Sequence, residues 1–140
     1  MALNRVKQFT LKNGEFSGSI VAHQSGYSGG MPCRINSDGE VARAYGDTGY
    51  VGIYANGSDV DPSGAAVTFY AGNGIFTLEL GKNESVAPFD NTLTYVPGQA
   101  AGIVSGKWAN AGQSTDKARV LAVGATSGGI TASITLLILN

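Results

Sequence analysis

Cysteine occurs once, at Cys33, and histidine once, at His23. No intrachain disulfide can therefore form, and one thiol with one imidazole cannot make a zinc site. Charge is also scarce: Asp, Glu, Lys and Arg make up 14% of the chain, against about 25% in an ordinary globular protein. Nine basic and ten acidic residues leave a net charge of −1, without the basic surplus that nucleic-acid binding demands. No run of about 18 apolar residues exists, so no transmembrane helix is expected. The start lacks the apolar core of a signal peptide, so synthesis in the cytoplasm is expected.

What is present is glycine, 21 of 140 residues, about twice the usual share of roughly 7%. The glycines follow no three-residue period, which excludes collagen. Their abundance also weighs against a helical bundle. A hydrophobic fraction of 43% with almost no net charge excludes a chain held open by repulsion. The class that remains is all-β: a compact barrel or sandwich of about eight to ten short antiparallel strands. Residues 1–14 read as an N-terminal arm and 15–140 as a single β domain.

Segments rich in β-branched and aromatic residues predict strands at Ser17–His23, Cys33–Ile35, Val41–Tyr45, Tyr50–Tyr54, Ala66–Ala71 and Ile75–Leu80. Further strands are expected at Thr92–Val96, Ala101–Val104, Arg119–Val123 and Ile130–Leu139. Asp38-Gly39 and Asn56-Gly57 suit turns that need positive φ. Asn73-Gly74 predicts a hairpin joining Val67–Tyr70 to Ile75–Leu80. In the last strand Ile130, Ala132, Ile134, Leu136 and Ile138 share one face, and the other turns apolar at Leu137 and Leu139. That switch calls for extra cover, from a loop or from another subunit. A faint repeat aligns 30–57 with 97–124, pairing Gly39 with Gly106, Ala42 with Ala109 and Thr48 with Thr115. An internal duplication is one reading of it.

Residues that carry chemistry are dispersed. Cys33 and His23 fall on separate predicted strands with no surrounding motif, and Cys33 beside Met31 and Ile35 reads as a small buried apolar residue. Asp59 and Asp61 lack the closing Glu of a calcium loop, and no glycine-rich stretch has the phosphate-loop pattern. No cofactor and no metal is expected. Glu15, Glu40, Glu79 and Glu84 form no acidic pair in sequence, and a hydrolase would need two of them to meet in space. Tyr50 and Tyr54 flank Gly52 on one strand face, either as a shallow binding platform or as core. Arg5, Lys7 and Lys12 charge the arm without any acid, too few for a polybasic membrane anchor.

The segment from Asn91 to Trp108, with Tyr95-Val96-Pro97-Gly98-Gln99 leading into Ala100–Val104 and the Ser105-Gly106 turn, resembles small head decoration (cement) proteins of tailed bacteriophages. Ser37 to Ala44 followed by Tyr50 to Ile53 is similar to the same scheme, as are the apolar Arg119–Val123 and the final alternating strand. Residues 1–29 carry no part of the likeness, and Trp108 stands where small or polar residues are common. The resemblance implies a non-enzymatic structural protein, made in the host cytoplasm, that joins the outside of a capsid and bridges major capsid protein subunits as a dimer or trimer. Arg5, Lys7, Phe9, Trp108, Leu137 and Leu139 are then the candidates for capsid or subunit contact. A head-surface or fibre-associated receptor- or carbohydrate-binding module using Tyr50 and Tyr54 is the alternative.

Overall fold

A computed structural model describes residues 15–16, 27–57, 67–71, 73–81, 84–110 and 117–139. The expected strand at Ser17–His23 lies outside these residues, as do Asp59, Asp61 and residues 1–14. The described chain is all-β. Twelve strands form two five-stranded antiparallel sheets and one two-stranded ribbon.

The first sheet contains β1 (Glu15–Phe16), β2 (Pro32–Ile35), β3 (Val41–Arg43), β4 (Tyr50–Tyr54) and β5 (Phe69–Ala71), in the order β1-β5-β4-β2-β3. The second contains β6 (Gly74–Glu79), β7 (Ala100–Val104), β8 (Lys107–Ala109), β9 (Ala118–Val123) and β12 (Ser133–Ile138), in the order β6-β12-β9-β7-β8. β10 (Thr126–Ser127) and β11 (Ile130–Thr131) form the ribbon. Reading β6, β7, β8, β9 and β12 as β1 to β5 makes the two strand orders identical. Under the 67-residue shift of the faint repeat, the registers of β2 with β3 and β4, and of β4 with β5, agree within one residue with their counterparts. Val41, Ile53, Val67 and Phe69 then fall on Trp108, Val120, Ile134 and Leu136, and all eight are buried. The aligned Gly39 and Gly106 both hold positive φ, 79° and 85°, in their hairpin loops.

In each half a turn that needs glycine leads into the second strand, β2 or β7. Met31 N–H donates to the Ser28 carbonyl with Gly30 at φ 91°, and Gln99 N–H donates to the Val96 carbonyl with Gly98 at φ 94°. Pro97 presets the second turn and Gly98 supplies the left-handed position, which defines a type II turn. Gly57 and Gly74 show no such φ. The expected positive-φ turn at Asn56-Gly57 is therefore absent; a Cβ on Gly57 would instead run into the Glu84 carboxylate.

Three expectations are corrected. Val67–Tyr70 and Ile75–Leu80 do not form a hairpin. β5 already pairs with β1 on one edge and β4 on the other, so the chain crosses to the second sheet, where β6 pairs with β12. Thr92–Val96 is not a strand. The Asp90 carboxylate accepts from Thr92 N–H and Oγ1–H at 3.1 and 2.6 Å, and its backbone carbonyl accepts from the Tyr95 hydroxyl at 2.7 Å. Local side-chain bonds of this kind displace ladder pairing. Ile130–Leu139 is not one strand either. Its first two residues pair with Thr126–Ser127, and the chain restarts after Ala132. The phase slips there, so Thr131 is buried, with its hydroxyl on the Leu93 carbonyl at 3.2 Å, while Ile130 is exposed.

The sheets share a core. Ala44, Tyr50 and Ile53 from the first pack with Leu78, Ile103, Trp108, Val120, Ile134, Leu136 and Ile138 from the second. On the far side, Tyr27, Met31, Cys33, Val41, Tyr54, Val67 and Phe69 make a second cluster within the first half. β4 serves both, because Tyr50 and Ile53 enter one cluster and Tyr54 the other.

Candidate interaction surfaces

The core claims several of the candidate residues. Trp108 has no exposed surface, and its Nε1–H donates to the Gly30 carbonyl at 2.9 Å. It is therefore a tie between the two halves, which corrects its expected place at a capsid or subunit contact. An indole buries more area than any other side chain and places its N–H only where an acceptor waits. Tyr50 and Tyr54 are buried too. Tyr50 meets Trp108 edge-on at 5.8 Å, and Tyr54 stacks on Tyr27 at 3.9 Å. Neither offers a platform to a sugar, and the two enter different clusters rather than sharing one face, so the surface reading of that pair is corrected to core packing. Cys33 is fully buried, and burial pushes its thiol pKa up, away from the thiolate a nucleophile requires. Among the described residues no group of three His, Cys, Asp or Glu could hold a metal.

Among the described residues two surfaces bear on the candidate sites. The first is the outer face of the second sheet. Leu137 lies opposite Ile75 on one side and Arg119 on the other, and Thr135 lies opposite Thr77, with their hydroxyls 2.9 Å apart. Ile75 is 65% exposed, Leu121 43% and Leu139 40%. The apolar switch at Leu137 and Leu139 thus continues across neighbouring strands as an open stripe. The bulge between Thr135 and Leu136 carries the stripe to Leu121, a position that parity along one strand does not reveal.

The second is a cleft of about 420 Å³ between the sheets. Ile75 to Glu79 form one wall; Gly29, Gly30 and Ile53 to Gly57 form the other, with Tyr70, Gly81 and Glu84 completing the lining. Glu84 stitches the walls together, accepting from Gly29 N–H through Oε2 and from Gly81 N–H through Oε1, each at 2.8 Å. Both of its oxygens are thus committed to backbone amides. Glu79, one of the sequence candidates, lines the same cleft, and Glu40 sits in the β2–β3 loop bonded to Asn36. The cleft has no sequence signature because its walls come from three separate stretches, Gly29 and Gly30, Ile53 to Gly57, and Ile75 to Glu79, joined by the unforeseen crossover after β5.

Compared with known protein families, curated proteins and solved structures, the chain matches none.

Proposed function

We propose that this chain is a structural protein of a tailed-phage virion, a decoration or cement protein that binds the outside of the capsid and bridges major capsid protein subunits. The observation that carries the reading is the open stripe Ile75, Leu121, Leu137 and Leu139 on the outer face of the second sheet, where Arg119 lies opposite Leu137. A contiguous apolar stripe rimmed by threonines is the kind of surface that protein contacts cover. The resemblance through Tyr95 to Trp108 supplies the class of partner. In that segment Gly98 holds positive φ after Pro97, and the turn leads into β7, which pairs with β8 in a hairpin. Modest affinity per copy suffices, because a dimer or trimer that touches several lattice subunits gains from effective concentration. The arm residues Arg5, Lys7 and Phe9 are assigned to the capsid side on the strength of the resemblance alone. No catalytic step, cofactor or metal enters the proposal.

Expanded heads lacking the protein, mixed with the purified chain and pelleted, test it. Saturable co-sedimentation supports the reading. A chain that stays in the supernatant at every concentration overturns it. Ile75→Asp should weaken the pelleted fraction several-fold while leaving the fold intact, because Ile75 contributes little to the core.

A further inference from the structure

We propose that the open stripe of the second sheet docks on the same stripe of a second copy of this chain, through a two-fold contact in which Arg119 of each copy meets Glu79 of the other. This deepens the capsid reading, on whose stripe it rests, by naming what covers that stripe. The fold closes the corresponding face in its first half. Under the shift of 67 residues, Gly52 and Tyr54 fall on Arg119 and Leu121. Tyr54 is 1% exposed beneath the stacked ring of Tyr27, and Phe69 opposite it is buried. Leu121, by contrast, is 43% exposed. Tyr27 falls on the exposed Thr94, which has no ring to lay over the sheet, and Tyr95 beside it turns into the shared core. Among the described residues, the second half has no counterpart of the Tyr27 cover.

Charge selects the occupant. Ile75, Thr77 and Glu79 share one face of β6, level with Leu137, Thr135 and Ser133 of β12. Arg119 stands on β9 in the row of Ile75 and Leu137. Arg119 and Glu79 therefore occupy diagonal corners of the stripe, roughly 10 Å apart across the strands and roughly 14 Å along them. A three-strand face with one positive and one negative corner is complementary to itself. A two-fold axis in the plane of contact, set across that diagonal, lays each charge on its opposite. Both ion pairs form at once, with Ile75 and Leu137 between them. Three strands of six residues make a contact of modest area, so association belongs in the micromolar range.

Sedimentation equilibrium of the full chain, without capsids, tests the assignment. The unaltered chain should pass reversibly from monomer to dimer as its concentration rises. Glu79→Arg alone, or Arg119→Glu alone, sets like charges against each other and should weaken association by about tenfold. Mixing these two variants restores both opposite-charge pairs, so the mixture should dimerise more tightly than either component by itself. Neither side chain lies in a buried cluster, so both variants should keep the fold. Ile75→Asp should abolish the dimer, and with it the gain in effective concentration on a capsid. A chain that stays monomeric up to about 1 mM, a dimer indifferent to the single reversals, or a mixture of folded variants that associates no better than its components overturns the proposal. Pelleting with capsids by a chain that is monomeric in solution removes this proposal and leaves the capsid reading standing. A charge-dependent dimer that ignores capsids does the reverse.

Discussion

Trp108 joins several parts of the fold. Its ring lies in the shared core, its backbone bridges Phe89, and its indole N–H reaches across to Gly30. Trp108→Ala should cost about 3–5 kcal/mol through lost burial and a residual cavity. Trp108→Phe should cost less but remain destabilising, because the Gly30 carbonyl loses its donor. Urea unfolding of both variants reads the difference. Burial also raises the pKa of the Cys33 thiol and of the Tyr50, Tyr54 and Tyr95 hydroxyls. A raised folded value means that the native state holds its proton where the unfolded state has released it. Stability from these groups is therefore complete below about pH 8.5 and declines as pH climbs past the unfolded values of about 8.5 for Cys and 10 for Tyr. Thermal melts should hold steady between about pH 6 and 8 and fall above about pH 9, with tyrosinate absorbance appearing together with unfolding. A lone cysteine flanked by Met31 and Ile35 is legible as core from sequence. Packing is the favoured reading of the Tyr50 and Tyr54 pair across a glycine, but parity places the two on one face and does not show that they enter different clusters.

Turns decide the elements. The β7–β8 hairpin closes over Ser105 and Gly106, both at positive φ, 51° and 85°. That is the type I′ geometry, in which the first position favours Asn and penalises Ser. Ser105→Asn should raise stability by about 0.5–1 kcal/mol, a few degrees in melting temperature, with the fold unchanged. A lower melting temperature would show that the Ser105 side chain contributes more than its backbone costs. Strands β2, β4, β7 and β9 were legible within a residue or two because β-branched runs end at real turns. β8 was not, since three residues carry no period, and Thr92–Val96 misleads because Asp90 captures its backbone locally. The crossover after β5 was hidden for a different reason. Asn73-Gly74 between two apolar runs carries the same signal whether the second run folds back on the first or leaves for another sheet.

At the scale of the molecule, two sheets of equal strand order share one core, and the faint repeat of the sequence falls on strands that pair alike. Two of the aligned pairs lie at positions with a structural requirement: Gly39 and Gly106 in hairpin loops, Ala42 and Ala109 buried. Neither the open stripe nor the cleft was legible as a whole. The stripe joins β6, β9 and β12, and the cleft joins the two halves. Leu137 and Leu139 alone announced the stripe, through a change of pattern at the end of the chain. The low charge content fits this face, where the apolar stripe lies beside few charges, Glu79 and Arg119 among them. The protein composition of purified tailed-phage virions, assembled in cells that make this chain, tests the proposed role most directly. The account predicts the chain in near-stoichiometric ratio to the major capsid protein and released before the capsid itself comes apart. Virions free of the chain would contradict it.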